Sequence, residues 1–398
     1  MTRSSPEKRL SSEADETTRR SAFSPTNIAA NPVNRMRFGL IYDSTYWHIS
    51  AQNVRQALPE GRRIDFDLSV LKPDADIHEV LRTATAQGAI PDVIVQETTA
   101  PGLPRGLHTV SVPTACLDVD TFGWTEFRLK WAMLFDYVFT WHISYVPLFR
   151  AAGHPKVFAL PHAVDATLFG AGDPEQERQY EVGFVGHRGL AEYTRRDRIL
   201  ARLVARLKMN DLERSYSTRE MAEVYKRSKI VVNVSREEFP PEANMRCYEA
   251  MAAGALLITG MPTELTEWGF REGEHFIGWR SEEEIPGLVD QFLGRKEQRE
   301  AIALAGQERT LRDFTYQRCV ETIAETVQRD HGQLFAPARD WPADQVHLLY
   351  LSYYYRLRLH SAAFEEFRRL RRANPKAYWK GLPMVLKTLR HAVKQTLL

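Results

Sequence analysis

The chain has little cysteine: three in 398 residues, Cys116, Cys247 and Cys319, set far apart. An odd, scattered set supports neither a disulfide framework nor a zinc site, and it suits a reducing compartment. Charge of one sign is scarce as well. The 53 Lys and Arg face 51 Asp and Glu, a formal net charge of +2. No overall field then draws the chain to phosphate backbones, which argues against a nucleic-acid partner. Long hydrophobic runs are missing. The longest, around Met251 to Met261, has about a dozen residues, whereas about 20 are needed to cross a bilayer. The first residues, MTRSSPEKRLSSEADETTRR, contain no apolar stretch of the kind a secretory signal requires. The expectation is a soluble, cytoplasmic protein. No group of His, Cys, Asp and Glu has metal-ligand spacing, and His154 and His162 stand alone.

What is present is ordinary for a globular protein, 43% hydrophobic and 26% charged, and the length calls for two domains. Residues 1–35 are rich in Ser, Thr, Glu and Arg, too polar to offset the entropy of ordering, and read as a disordered tail. From Met36 strand-like runs alternate with helix-length segments. The strand candidates are Met36 to Tyr42, Ile64 to Val70, Pro91 to Glu97, His108 to Pro113, Asp136 to Trp141 and Lys156 to Leu160. Between them, Ile77, Val80, Leu81 and Ala84 recur at helical spacing. A segment punctuated by Pro, Gly and Asp, ALPHAVDATLFGAGDPEQERQ, reads as a linker, and the alternation then restarts at EVGFVG. KIVVNVS, ALLIT and HFIGW are its further strands, with helices at Asn244 to Ala253 and Glu282 to Leu293. Two such βα blocks give two Rossmann-like domains, 36–165 and 166–330, whose cleft at the strand ends is the expected ligand site. Residues 331–398 read as helix only. From Arg356 on they hold eleven Lys and Arg against two Glu, which suits either peripheral contact with an anionic membrane face or a helix packed back on the first domain.

The most informative stretch is SREEFPPEANMRCYEAMAAGALLIT, Ser235 to Thr259: a proline-rich loop, a helix ending at Gly254, and a buried strand. Glu242, Asn244 and Arg246 fall in or before the first helical turn, with Glu249 one turn on. Free N–H groups and the positive dipole end suit a diphosphate, an arginine clamps phosphate oxygens, and a glutamate accepts two ribose hydroxyls. The same residues also serve simply to cap and solvate an amphipathic helix. In the first domain, CLDVDTFGW sets Asp118 and Asp120 just beyond a strand, where a carboxylate acts as a base, orients an acceptor hydroxyl or caps the next helix. Asp43 and His48 follow the first strand in the same way.

The stretch NMRCYEAMAAGALLIT resembles the donor-site signature of CgeB-like (spore maturation protein type) glycosyltransferases, related to glycosyl transferase group 1. YEVGFVGHRG resembles the family's first strand and glycine turn in the C-terminal domain, and EVYKRSKIVVNVS its helix and strand ahead of the donor loop. EHFIGWRSEEEIPGLVDQFL and REAIALAGQERTLRDFTYQRCVETI resemble the closing helices. DYVFTWHISYVPLFRAAG and FALPHAVDATLF resemble the last βα unit of the first domain and the link. The resemblance runs from about Met36 to Val327. It implies an α/β GT-B fold, two Rossmann-like domains facing a cleft, with donor in the C-terminal and acceptor in the N-terminal domain. It implies transfer of a sugar from a nucleotide-sugar to a glycan, lipid-linked or other hydroxyl acceptor, without a metal cofactor. Glu249 would hold the ribose, and Asn244 and Arg246 would face the diphosphate or sugar. Gly186, His187, Arg188 and Gly189 would form the turn that approaches the phosphates. His142 stands where related enzymes present polar groups to the sugar. Asp118, His142 and Arg246 are the candidate catalytic residues. Two departures stand out. Group 1 transferases often carry a second glutamate eight positions before the first; here that place is Pro241, leaving Glu238 and Glu242 as candidates. The polar stretch Lys208 to Tyr216 replaces the family's usual second strand. A sugar-nucleotide epimerase and an inactive sugar-nucleotide-binding protein are the alternatives.

Overall fold

The computed structural model describes residues 32–46, 49–122, 124–170, 177–189, 194–235 and 242–396, with the side chains of 49–51 and 388–396 outside the description. Residues 1–31 of the expected tail, His48 and Glu238 lie outside the described residues. Pro32–Arg35 forms a turn of 3-10 helix with Val33 fully buried, so packing begins before the strand expected at Met36. The chain divides into two compact units, residues 1–160 with 320–398, and residues 161–319.

The first unit opens with β1 (Phe38–Tyr42), α1 (Ile49–Ala57), β2 (Arg63–Asp67), α2 (Leu68–Leu71), α3 (Ile77–Ala86) and β3 (Val93–Glu97). There follow β4 (Thr114–Asp118), α4 (Thr125–Ala132), β5 (Tyr137–Thr140), α5 (Val146–Ala151) and β6 (Val157–Ala159). All neighbours in this sheet run parallel, in the order β2-β1-β3-β4-β5-β6. Strands β1, β3, β4 and β5 are buried along their whole length, which is why they read as apolar runs without alternation. Two expected boundaries are corrected. The run from Ile64 to Val70 leaves the sheet at Asp67, whose carboxylate caps α2 by accepting from Ser69 N at 3.0 Å. The segment His108 to Pro113 is not a strand: Leu107–Thr109 is a 3-10 turn, and the strand is the next five residues, ending on Asp118 itself.

The second unit comprises α6 (Ala166–Phe169), β7 (Tyr180–Gly183), α7 (Thr194–Val204), α8 (Thr218–Lys226), β8 (Ser228–Asn233), α9 (Met245–Ala252) and β9 (Leu256–Gly260). α10 (Thr263–Glu267), β10 (Ile277–Trp279), α11 (Glu284–Gly294) and α12 (Lys296–Asp313) complete it. Its four strands are parallel in the order β10-β9-β8-β7. Where the resemblance implies a second strand, there is a single bridge, Met209 to Val182. Buried Asn210 stands in for it: its amide accepts from Phe184 N and donates to Phe184 O, both at 2.9 Å, as a neighbouring strand would. Ser217 and Glu220 form a capping box that starts α8.

After α13 (Tyr316–Arg329) come α14 (Ala343–Arg356), α15 (His360–Ala373) and α16 (Tyr378–Thr396). α14 is sunk in the core of the first unit, where Tyr350, Tyr353 and Tyr354 are buried among its hydrophobic residues. Their hydroxyls donate to Pro104 O, Ala100 O and Leu103 O at 3.1, 3.1 and 2.7 Å, which satisfies backbone carbonyls that would otherwise be orphaned. The C-terminal residues therefore complete the first core.

Candidate active site

In the second unit the candidate donor residues meet around the carboxyl ends of β7 and β8. β8 ends on Asn233, which is 1% exposed. Its Oδ1 accepts from Arg246 Nη1 at 2.7 Å and from Asn244 Nδ2 at 3.3 Å. Its Nδ2 donates to Thr259 Oγ1 and Cys247 Sγ, both at 3.1 Å. Every polar direction of the amide is used, so its orientation is fixed and with it the two side chains that lean on it. Arg246 also donates from Nε to Val185 O at 3.0 Å, and its guanidinium carbon lies 4.7 Å from the centre of the Phe184 ring. A side chain at 186 would push Arg246 out of place, since a Cβ there would stand 2.4 Å from its Nη2.

Asn244 occupies the N-cap of α9 without capping it through its side chain. Its Nδ2 is turned instead to Ser235 Oγ at 3.0 Å and to Asn233. The first turn of α9 thus keeps its dipole end and has no side-chain cap, the arrangement that receives an anion. Ala243, the residue before the N-cap, is held by Glu264, 2% exposed, whose Oε2 accepts from Ala243 N at 2.9 Å. Glu249, one turn into α9, is 5% exposed, and no donor among the described residues reaches its carboxyl group. Burial pushes its pKa up to about 7, an effect the nearby Arg246 charge only partly opposes. Glu242 is half-buried just before the N-cap.

The glycine turn divides. Gly186, His187 and Gly189 are exposed, and Gly189 takes the left-handed conformation, φ +74. Arg188 is committed to two carboxylates, Asp197 at 3.1 Å and Glu213 at 2.7 Å. Arg196, which the sequence reading passed over, holds this turn from the inside. It is 6% exposed, donates to His187 O at 2.7 Å and Val234 O at 3.0 Å, and its guanidinium carbon lies 5.5 Å from the centre of the Phe184 ring. Asn233 was missed as well. Arg196 carried a signal: it is the one arginine of TRRDRILARLV that falls on the apolar face of α7, with Ile199, Leu200 and Leu203.

In the first unit Asp118 closes β4 at 1% exposure. Its Oδ2 accepts from Thr121, while among the described residues Oδ1 has no hydrogen-bond partner, and neither has the Oγ1 of Thr140, its register neighbour on β5. Burial lifts its pKa to about 6 against the opposing pull of the Arg128 charge, the Thr121 hydrogen bond and His142. His142 is 8% exposed, two residues beyond β5, with its ring 6.0 Å from that of Tyr145. Asp120 is exposed at φ +53. Asp43 is spent on its own turn, accepting from Thr45 N at 2.8 Å and Thr45 Oγ1 at 2.5 Å. Among the described residues no three His, Cys, Asp or Glu lie close enough to hold a metal ion.

Residues 158–325 match a family model described as Glycosyl transferase-like. The match takes in the whole cluster around Asn233, Arg246 and Glu249. No curated protein sequence matches the chain. Among solved structures, HepE of Anabaena in complex with UDP and glucose superposes with a TM-score of 0.52 at 13% identity, covering 74% of this chain and 100% of that one. The same protein with UDP gives 0.51 at 13% identity, with the same coverage. Sucrose-phosphate synthase from Thermosynechococcus elongatus gives 0.51 at 9% identity, covering 75% and 99%. The fold is GT-B. Its two parallel sheets are the two Rossmann-like halves of that plan, and the second unit is glycosyl transferase-like.

Proposed function

We propose that this chain transfers a sugar from a nucleotide-sugar, with UDP as the first nucleotide to test, to a glycan, lipid-linked or other hydroxyl acceptor. The observation that carries the reading is the α9 entrance. An uncapped helix N-terminus, an arginine aimed by a saturated asparagine, and a buried glutamate without a donor are together the chemistry a nucleoside diphosphate fills. In this reading the second unit binds donor and the first binds acceptor. Glu249 accepts the ribose hydroxyls, and Asn244, Arg246 and the turn Gly186–Gly189 take the diphosphate. Glu242 remains the candidate for the sugar. The family-model match and the UDP named in the HepE complex support the donor class, and the motif resemblance supports a CgeB-like specificity.

Transfer needs the two substrates held in line and the charge of the departing diphosphate neutralised. Arg246 and the α9 dipole supply that neutralisation with no metal called for. Asp118, whose raised pKa leaves it able to exchange a proton near neutrality, serves as the acceptor-side base, with His142 beside it. The site lies in a protein that works in the cytoplasm and touches a membrane peripherally through its basic C-terminal segment.

A thermal-shift panel of UDP, GDP, ADP, dTDP and CMP against wild type and Glu249→Ala tests the donor site. A specific ligand at saturation adds about 2–4 kcal/mol of apparent stability. We expect one diphosphate to stabilise wild type alone, and transfer from its sugar conjugate to persist in EDTA. A Glu249→Ala protein that is stabilised as much as wild type overturns the assignment, and turnover abolished by EDTA overturns the metal-free mechanism.

A further inference from the structure

The last helix presents two faces of opposite character. Ala377, Gly381 and Val385, spaced by four, are buried, and Gly381 lets α16 come so close that a Cβ would stand 2.7 Å from Leu351 and 3.0 Å from Leu370. That stripe is the seat of α16 on α14 and α15. On the opposite side, Trp379, Pro383 and Leu386 follow one another at spacings of four and three, all exposed, with Trp379 at 62% and Leu386 at 49%. A helical wheel puts Lys380 and Lys387 on the same side, at its margin, and Lys376 stands in the turn just ahead of the helix. They too are exposed, and no acidic partner among the described residues pairs with them or with exposed Arg371 and Arg372 of α15. From Phe367 to Leu398 the sequence has nine Lys and Arg and no Asp or Glu.

We propose that this outer face of α16 lies in the headgroup layer of an anionic phospholipid membrane, with Trp379 and Leu386 entering the acyl boundary and Lys376, Lys380, Lys387, Arg371 and Arg372 bonding the phosphates. The proposal deepens, and rests on, the peripheral membrane contact in the proposed function. The chemistry favours lipid over nucleic acid. A phosphodiester strand takes cations and, on occasion, a stacking aromatic, but it offers nothing to an exposed leucine and proline placed at the centre of the cationic margin. A bilayer interface takes all three: apolar groups below, the indole at the boundary, and long basic side chains reaching outward to phosphate. The remainder of the chain carries 44 Lys and Arg against 51 Asp and Glu, a net negative charge, so the attraction to an anionic surface is local to this segment and orients the protein on the surface. No helix among the described residues is long and apolar enough to cross a membrane. Contact by this face is therefore adsorption and reversible with salt.

The full chain is sedimented with vesicles of phosphatidylcholine and with vesicles containing phosphatidylglycerol. Binding is expected only to the second, weakening as salt rises. Trp379→Ala with Leu386→Ala, and separately Lys376→Glu with Lys380→Glu and Lys387→Glu, should each lower the vesicle partition about tenfold or more. These positions are exposed, so the variants keep their fold, checked by circular dichroism and by an unchanged UDP thermal shift. No binding to phosphatidylglycerol vesicles, binding that neither variant weakens, or binding to single-stranded DNA with none to vesicles overturns the proposal. The UDP shift is read in the same samples, so failure of the membrane contact and failure of the donor site are told apart.

Discussion

In the proposed role Glu249 accepts two ribose hydroxyls as a carboxylate, and its burial makes that ionisation costly. Its pKa stands at about 7 against 4.5 for a free glutamate, raised by burial and only partly offset by Arg246. Between those values the folded state holds a proton that the unfolded state has released, so unliganded stability falls as pH rises through the window. The full penalty above it is ~3 kcal/mol. Glu249→Gln removes the titration. The stability of the variant relative to wild type should therefore climb from about pH 5 to pH 8, read by urea midpoints, while its response to UDP disappears. A difference that stays flat with pH would show that Glu249 titrates normally. Asn233 is the second residue-scale case, since it touches no proposed ligand yet fixes Arg246. Asn233→Ala leaves the half-buried Arg246 guanidinium without its charge-assisted acceptor, worth about 1.5–3 kcal/mol, so the donor dissociation constant should rise about 10- to 100-fold. Unchanged donor affinity, measured by calorimetry, would deny it the positioning role.

The element that matters most to the site is α9, and it is held from behind by α12. Gln307 Nε2 donates to Ala252 O at 2.9 Å, closing the last turn of α9. Gly306 beside it lets the two helices touch, because a Cβ there would stand 2.5 Å from His275 O and 3.4 Å from Met251. Gly254, at φ +70, ends α9 and sends the chain into β9. In an isolated helix Gly306→Ala would stabilise by about 1 kcal/mol. Here the methyl group meets a backbone carbonyl that has no rotamer to move into, and the helix must shift instead. The expected result is a lower thermal midpoint and weaker UDP binding together, measured by calorimetry. A variant more stable than wild type would mean that α12 is free to move.

The first unit is one core made from both ends of the chain, and Asp136 is its latch. Fully buried, it accepts from Phe335 N and Ala336 N through Oδ1 at 2.7 and 2.9 Å, and from Thr114 N and Oγ1 through Oδ2 at 2.7 and 2.8 Å. One side chain thereby ties β4 to the segment that leads into α14. Asp136→Ala strands four donors and should cost about 3 kcal/mol or more. The loss belongs to the first unit, so proteolysis should release residues 331–398 early while the UDP response of the second unit survives. Cleavage no faster than in wild type would show that α14 is held without the latch.

The alternation of apolar runs and amphipathic segments is a local property, and from it the sequence alone determined two α/β blocks, their parallel character and the helix and strand around Arg246 and Glu249. Motif resemblance added the GT-B plan. Periodicity could not fix which five of eleven apolar-rich residues between His108 and Asp118 form β4, because a buried strand and a buried turn have the same composition. Nor could it show that Asn210 replaces a strand, that Arg196 and Asn233 brace the site, or that α14 fills the first core. Each depends on residues distant in the chain, Asp136 on Phe335 and Tyr354 on Leu103, meeting once the sheet has brought them together. The basic C-terminal segment was legible as an alternative between packing and membrane contact. Tertiary structure decided its inner face, because Gly381 and Val385 have a partner to pack on, and left the tryptophan and the lysines outside.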